Sequence, residues 1–91
     1  MMLFRLWERV DRIAQVDTQV KGVLFDWLCL LVSKDGYAIY QKGSLLHLGK
    51  VKRNNKSALR IEPIQGLQTA NLNKARDNAD NLIRSMENAK P

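Results

Sequence analysis

The side chains able to do reactive chemistry are few: one histidine, His47, and one cysteine, Cys29, in a chain of 91 residues. A metal centre needs three or four His, Cys, Asp or Glu side chains converging. His47 and Cys29 lie in different segments, so neither zinc nor another metal is expected. No Ser/His/Asp or Cys/His pattern is signalled. His47 stands in a short alternating stretch and reads as a sheet-face residue rather than a general base. Cys29 sits inside an apolar run and reads as packing, and a single cysteine forms no internal disulfide, which suits a reducing, cytoplasmic setting. The glycines at 22, 36, 43, 49 and 66 match neither the dinucleotide fingerprint nor the P-loop. Asp77 and Asp80 share one helix side with asparagines and read as a solvated face. Neither an enzyme nor a cofactor is expected.

The remaining signal is charge. The chain carries a formal net charge of +6. Seven basic residues (Lys34, Lys42, Lys50, Lys52, Arg53, Lys56, Arg60) stand against the single acid Asp35 between positions 34 and 60, and the rest of the chain is balanced. A basic surface of this kind attracts acidic partners. The predicted contact set is Tyr40, Lys42, His47, Lys50, Lys52, Arg53, Lys56 and Arg60. In it, cations would pair with phosphates while an aromatic ring stacks, as on sheet surfaces that bind nucleic acid. The expected partner is nucleic acid or a protein that handles it. The competing account is a lysine-guarded sheet whose charges keep strand edges from pairing with other chains.

The elements that must carry these residues follow from periodicity. Residues 37–63 read as a three-stranded antiparallel meander with reversals at Lys42-Gly43-Ser44 and Arg53-Asn54-Asn55-Lys56-Ser57. A turn at Lys42-Gly43 would place Ile39 opposite Leu46, and Gly49 reads as a bulge. Leu72, Ala75, Ala79, Leu82, Ile83 and Met86 repeat with the period of a helix, capped by Thr69 or Asn71, and its apolar face is expected on the sheet. Upstream, Leu3, Leu6, Val10 and Ile13 have helical spacing. The apolar run 20–32 favours a helix by length and leucine content, with a strand joining the sheet as the alternative. The predicted fold is one small α+β domain: N-terminal helices, a three-stranded meander, and a C-terminal helix packed on the sheet.

A second function class rests on the N-terminal face. Leu3, Phe4, Trp7 and Val10 could anchor a helix in a partner's groove, making the chain a protein-docking adaptor or inhibitor. Arg5, Arg9 and Arg12 are balanced there by Glu8 and Asp11, which argues against the same face lying on a membrane. No stretch reaches the ~20 apolar residues needed to span one. In layout, a meander followed by a helix resembles small DNA-binding domains that read a groove with a sheet, and compact adaptors or inhibitors of mobile elements. No motif diagnostic of either is present.

Overall fold

The computed structural model describes residues 5–89. Five strands follow in order: β1 (Trp7–Asp17), β2 (Leu24–Ser33), β3 (Tyr37–Lys42), β4 (Leu45–Asn54) and β5 (Leu59–Gly66). Each is antiparallel to the next, and β5 closes on β1 to make a barrel. Five alternating strands bring the first and the last into the same direction, so the closing ladder is parallel, with Ala14, Gln15 and Val16 beside Leu59, Arg60 and Ile61. The helix α1 (Leu72–Asn88) follows on the outside.

This corrects the predicted architecture. There are no N-terminal helices among the described residues: β1 and β2 occupy the segments read as helical. The three stretches read as a meander do pair in order as β3, β4 and β5, but as part of a closed five-stranded barrel, and "α+β" fits only in that one helix accompanies it. The misreading has a physical cause. In β1 apolar residues occupy both faces: Val10, Ala14 and Val16 pack inside the barrel, Trp7 packs under α1, and Ile13 lies exposed. Their combined spacing imitates a helical stripe. In β2 both faces are apolar along most of the strand, and a continuous apolar run has no period to read.

The same closure reverses the meaning of the meander's second face. Ala38, Ile39 and Tyr40 are buried in succession, which alternating side chains allow only where both faces of a strand are covered. Ile39 lies opposite Leu48 and packs with Leu31, Leu46, Ala75, Ala79 and Ile83 beneath α1. Ala38 and Tyr40 turn the other way, into an interior shared with Ala14, Val16, Cys29, Leu59 and Ile61. The predicted pairing of Ile39 with Leu46 is off by two residues, because Gly43-Ser44 form the turn and Lys42 pairs Leu45; a shift of two leaves each side chain on its face. A bulge at Leu30 separates the layers in β2: Cys29 pairs Tyr40 and faces inward, while Leu31 pairs Ile39 and faces α1.

A five-stranded interior is narrow, and small residues make room for its one large ring. Tyr40 is the largest fully buried side chain, and Ala14, Ala38, Cys29 and Gly49 surround it or its level of the barrel. A Cβ at Gly49 would overlap Ile61 Cγ2 and come within 3.2 Å of Tyr40 Cε1. The bulge expected on β4 at Gly49 lies instead on β5: β4 runs through Gly49 without a break against β3, whereas Leu48 faces Gln65 and Gly49 faces Pro63, leaving Ile64 as the extra residue.

Outside, Asn71 caps α1 by accepting from the Lys74 amide at 3.0 Å. Ala75, Ala79 and Ile83 are the buried residues of α1, and Leu72, Leu82 and Met86 flank them half-buried. The polar face read as merely solvated is tied down. Asn78 Nδ2 donates to the Leu67 carbonyl at 3.1 Å, and Asp80 accepts from Trp7.

Candidate functional site

The β1–β2 connection sets one end of the barrel. The Thr18 hydroxyl accepts from the Val20 amide at 3.1 Å and lies 2.9 Å from the Val23 carbonyl, while Gly22 takes φ +84°, a conformation that costs an L side chain strain. This folds the loop so that Val20 and Val23 stand exposed at the rim. Between that loop and the β3–β4 turn lies a cavity of about 620 Å³, walled by Phe25, Trp27, Pro63 and Ile64, with Tyr40 and Lys42 also lining it. Phe25 and Trp27 meet edge to face, 6.3 Å between centroids at 76°. Phe25 is 55% exposed and Tyr40 only 2%.

A shallower hollow of about 400 Å³ adjoins this mouth, sharing Asp17, Thr18, Val20, Val23 and Pro63 with it and adding Lys21, Lys52, Arg60 and Glu62. Asp17 is the organising acid. Arg60 Nη2 lies 2.8 Å from Asp17 Oδ1, and Lys52 Nζ lies 3.2 Å from Oδ2. The hydrogen bond from Arg60, helped by that from Lys52, outweighs burial and holds the Asp17 carboxyl below its ordinary range. Arg53 faces Arg60 across the β4–β5 ladder and is exposed, and Lys56 is exposed in the adjoining turn.

The predicted contact residues therefore divide. Lys52, Arg53 and Arg60 come together on the outer side of β4 and β5, with Lys56 in the turn between them. Lys42 stands at the mouth. Tyr40 is an interior residue, stacked on its cross-strand neighbour His47 with centroids 5.7 Å apart and planes at 25°. Burial pushes the Tyr40 hydroxyl up to about 12. Burial, together with the charge of Lys42, lowers His47, so the imidazole is neutral at neutral pH. Lys50 leaves the group: its Nζ lies 4.2 Å from the centroid of the Tyr37 ring and donates to the Asp35 carbonyl at 3.2 Å.

Among the described residues the predicted docking face is strand, not helix. Leu3 and Phe4 lie outside the described residues. Trp7 and Val10 belong to β1, where Trp7 packs beneath α1 and Val10 against the barrel interior. Arg5 adds a second tie, with Nε 2.8 Å from Asp35 Oδ2 and Nη1 3.5 Å from Asp80 Oδ1.

Asp17, Lys21, Phe25 and Trp27 were missed by sequence reasoning, because a helix over 20–32 would turn Phe25 and Trp27 to opposite faces and leave Asp17 outside it. The turn-forming run Thr18-Gln19-Val20-Lys21-Gly22 between two apolar stretches is the signal for the hairpin that gathers them. Among the described residues no three His, Cys, Asp or Glu side chains gather as a metal site, and no helix is long and apolar enough to cross a membrane. No protein-family model, no curated protein and no solved structure matches the chain.

Proposed function

We propose that this protein is a non-enzymatic nucleic-acid-binding module, contacting the phosphate backbone through Lys21, Lys52, Arg53, Lys56 and Arg60. The observation that carries this reading is the pairing of Arg53 directly with Arg60 across β4 and β5. Like charges opposite one another destabilise a sheet, and here Lys52 immediately precedes Arg53 and Lys56 stands in the turn that joins the two strands. Asp17 engages only Lys52 and Arg60, and Glu62 is the other acid beside the hollow. Protection of open edges accounts for Lys52 and Arg53, which run past the end of β3, but not for Arg60, whose strand is paired with β4 on one side and β1 on the other. A polyanion supplies the missing counter-charge.

The test is binding of labelled oligonucleotides at two or more salt concentrations by the wild type and by Lys52→Glu/Arg53→Glu. Removing one phosphate interaction should reduce the salt slope of log K by about 0.7–0.9, with little dependence on base sequence. Absence of binding to single and double strands at low salt overturns the reading. An acidic protein partner would instead show a few large losses at central residues and weaker salt dependence.

A further inference from the structure

The mouth of the barrel lies outside the proposed phosphate-contact set, yet it adjoins the basic surface and shares five residues with the hollow that Lys21, Lys52 and Arg60 line. Three aromatic side chains converge on it. Phe25 is more than half exposed, although an aromatic ring in a small barrel gains most by burial. Trp27 supports Phe25 edge to face and itself packs on the barrel interior, so the Phe25 ring is held on a fixed wall. Tyr40 is the floor. Its ring is locked by the interior and by the His47 stack, and the residue lines the cavity; its hydroxyl makes no protein hydrogen bond among the described residues and is not fully enclosed. Lys42 is the cation at the rim and Asp17 the acid, already engaged by Arg60 and Lys52.

We infer that this mouth receives one unpaired nucleobase of a single strand, stacked on Phe25 and hydrogen-bonded by the Tyr40 hydroxyl, while the strand's phosphates run past Lys42 toward Lys21 and Lys52. The inference rests on the proposed nucleic-acid function and adds to it a preference for strand form. Every base has a π-face, so a stacking wall tolerates sequence. A hydroxyl both donates and accepts, so the floor serves any base edge. A base inside a duplex is stacked and paired, and reaching a concave pocket would require extruding it at an energetic cost. The pocket therefore selects single strands.

The experiment compares an oligothymidine, an oligouridine, an abasic deoxyribose-phosphate strand and a duplex of equal length, each labelled, against the wild type, Phe25→Ala and Tyr40→Phe. Phe25 is exposed, so its removal should leave thermal unfolding near wild type. Tyr40→Phe removes only the hydroxyl. The wild type should bind the two base-bearing strands at least about tenfold more tightly than the abasic strand or the duplex, the size of one base–aromatic stack. Phe25→Ala should erase that difference and leave abasic and duplex binding unchanged, and Tyr40→Phe should erase part of it. With Trp7 replaced by Phe, Trp27 is the sole tryptophan, and oligothymidine should quench its emission where the abasic strand does not. The ribose arm separates RNA from DNA as the preferred source. Equal binding of all four ligands, or a Phe25→Ala profile identical to wild type, overturns the base pocket and leaves the phosphate surface standing. Binding of none of them overturns both.

Discussion

Trp7 Nε1 donates to Asp80 Oδ1 at 3.0 Å across 73 residues of sequence, joining the first strand of the barrel to the helix outside it. The bond is part-buried, and the same carboxylate lies 3.5 Å from Arg5 Nη1. A half-buried indole with a charged acceptor is worth more than an exposed polar pair, because its ring stays packed under α1 while its N–H is satisfied.

Replacing Trp7 by Phe keeps an aromatic ring and removes the donor, and should lower stability by about 1 kcal/mol in urea unfolding. Asp80→Ala should cost more, since it also strips Arg5 of an ion-pair partner. The double variant should fall short of the sum by about 1 kcal/mol, the signature of two residues that act on each other. Strict additivity would show that the bond contributes nothing.

Gly49→Ala should destabilise the barrel by about 1–3 kcal/mol, the range for overpacking a close-packed interior. The added methyl overlaps Ile61 and presses on the Tyr40 ring, both of them buried in the barrel interior. Gly22→Ala is the contrasting case. Its Cβ meets nothing within 4 Å, so any loss there comes from backbone strain at φ +84° and should leave near-ultraviolet signals of the buried Tyr40 unchanged. If Gly49→Ala melts with the wild type, the barrel interior is looser at Ile61 and Tyr40 than this close approach requires.

The stability depends on pH in two windows, His47 acting in one and Asp17 in the other, where Asp35 adds to it because its burial is outweighed by hydrogen bonds from Ser33 and Arg5. His47 has its folded pKa lowered, first by burial and then by Lys42, so the unfolded chain takes up the proton more readily. The contribution of neutral His47 is therefore complete above its unfolded value of about 6.5 and is lost as pH falls from there toward the folded value. Asp17 is held low by Arg60, and its contribution is present above the ordinary aspartate value near about 3.9 and lost as pH falls through the folded one. Urea midpoints followed from pH 8 downward should fall first in the histidine window. His47→Gln should flatten that first fall and leave the acid one, and Asp17→Asn should leave the first and reduce the acid one, of which the part due to Asp35 remains. A wild-type midpoint unchanged between pH 7.5 and 5.5 would contradict the histidine assignment.

Local rules determined part of this protein directly from sequence. The span of α1 follows from the period of Leu72, Ala75, Ala79, Leu82, Ile83 and Met86 and from an Asn71 side chain able to cap it, because both signals lie within a few residues of what they specify. The reversal at Gly43 and the concentration of positive charge between positions 34 and 60 are legible for the same reason. Even the clustering of Lys52, Arg53, Lys56 and Arg60 was within reach, since a single hairpin unites them.

The identity of β1 and β2, and with it half of the candidate site, was decided by tertiary structure. Periodicity reports how many sides of a segment are covered, and closure of the barrel covers two. Once β5 meets β1, the face of β3 expected in solvent becomes an interior, Tyr40 passes from a surface ring to the floor of a cavity, and burial lowers the pKa of His47 beside it. Phe25 and Trp27 reach the same cavity from a segment whose unbroken apolar run concealed its alternation. The ladder of three residues that seals the barrel, Ala14 to Val16 against Leu59 to Ile61, joins segments some 45 residues apart. No local pattern encodes that pairing, because its stability comes from apolar surface contributed by all five strands at once.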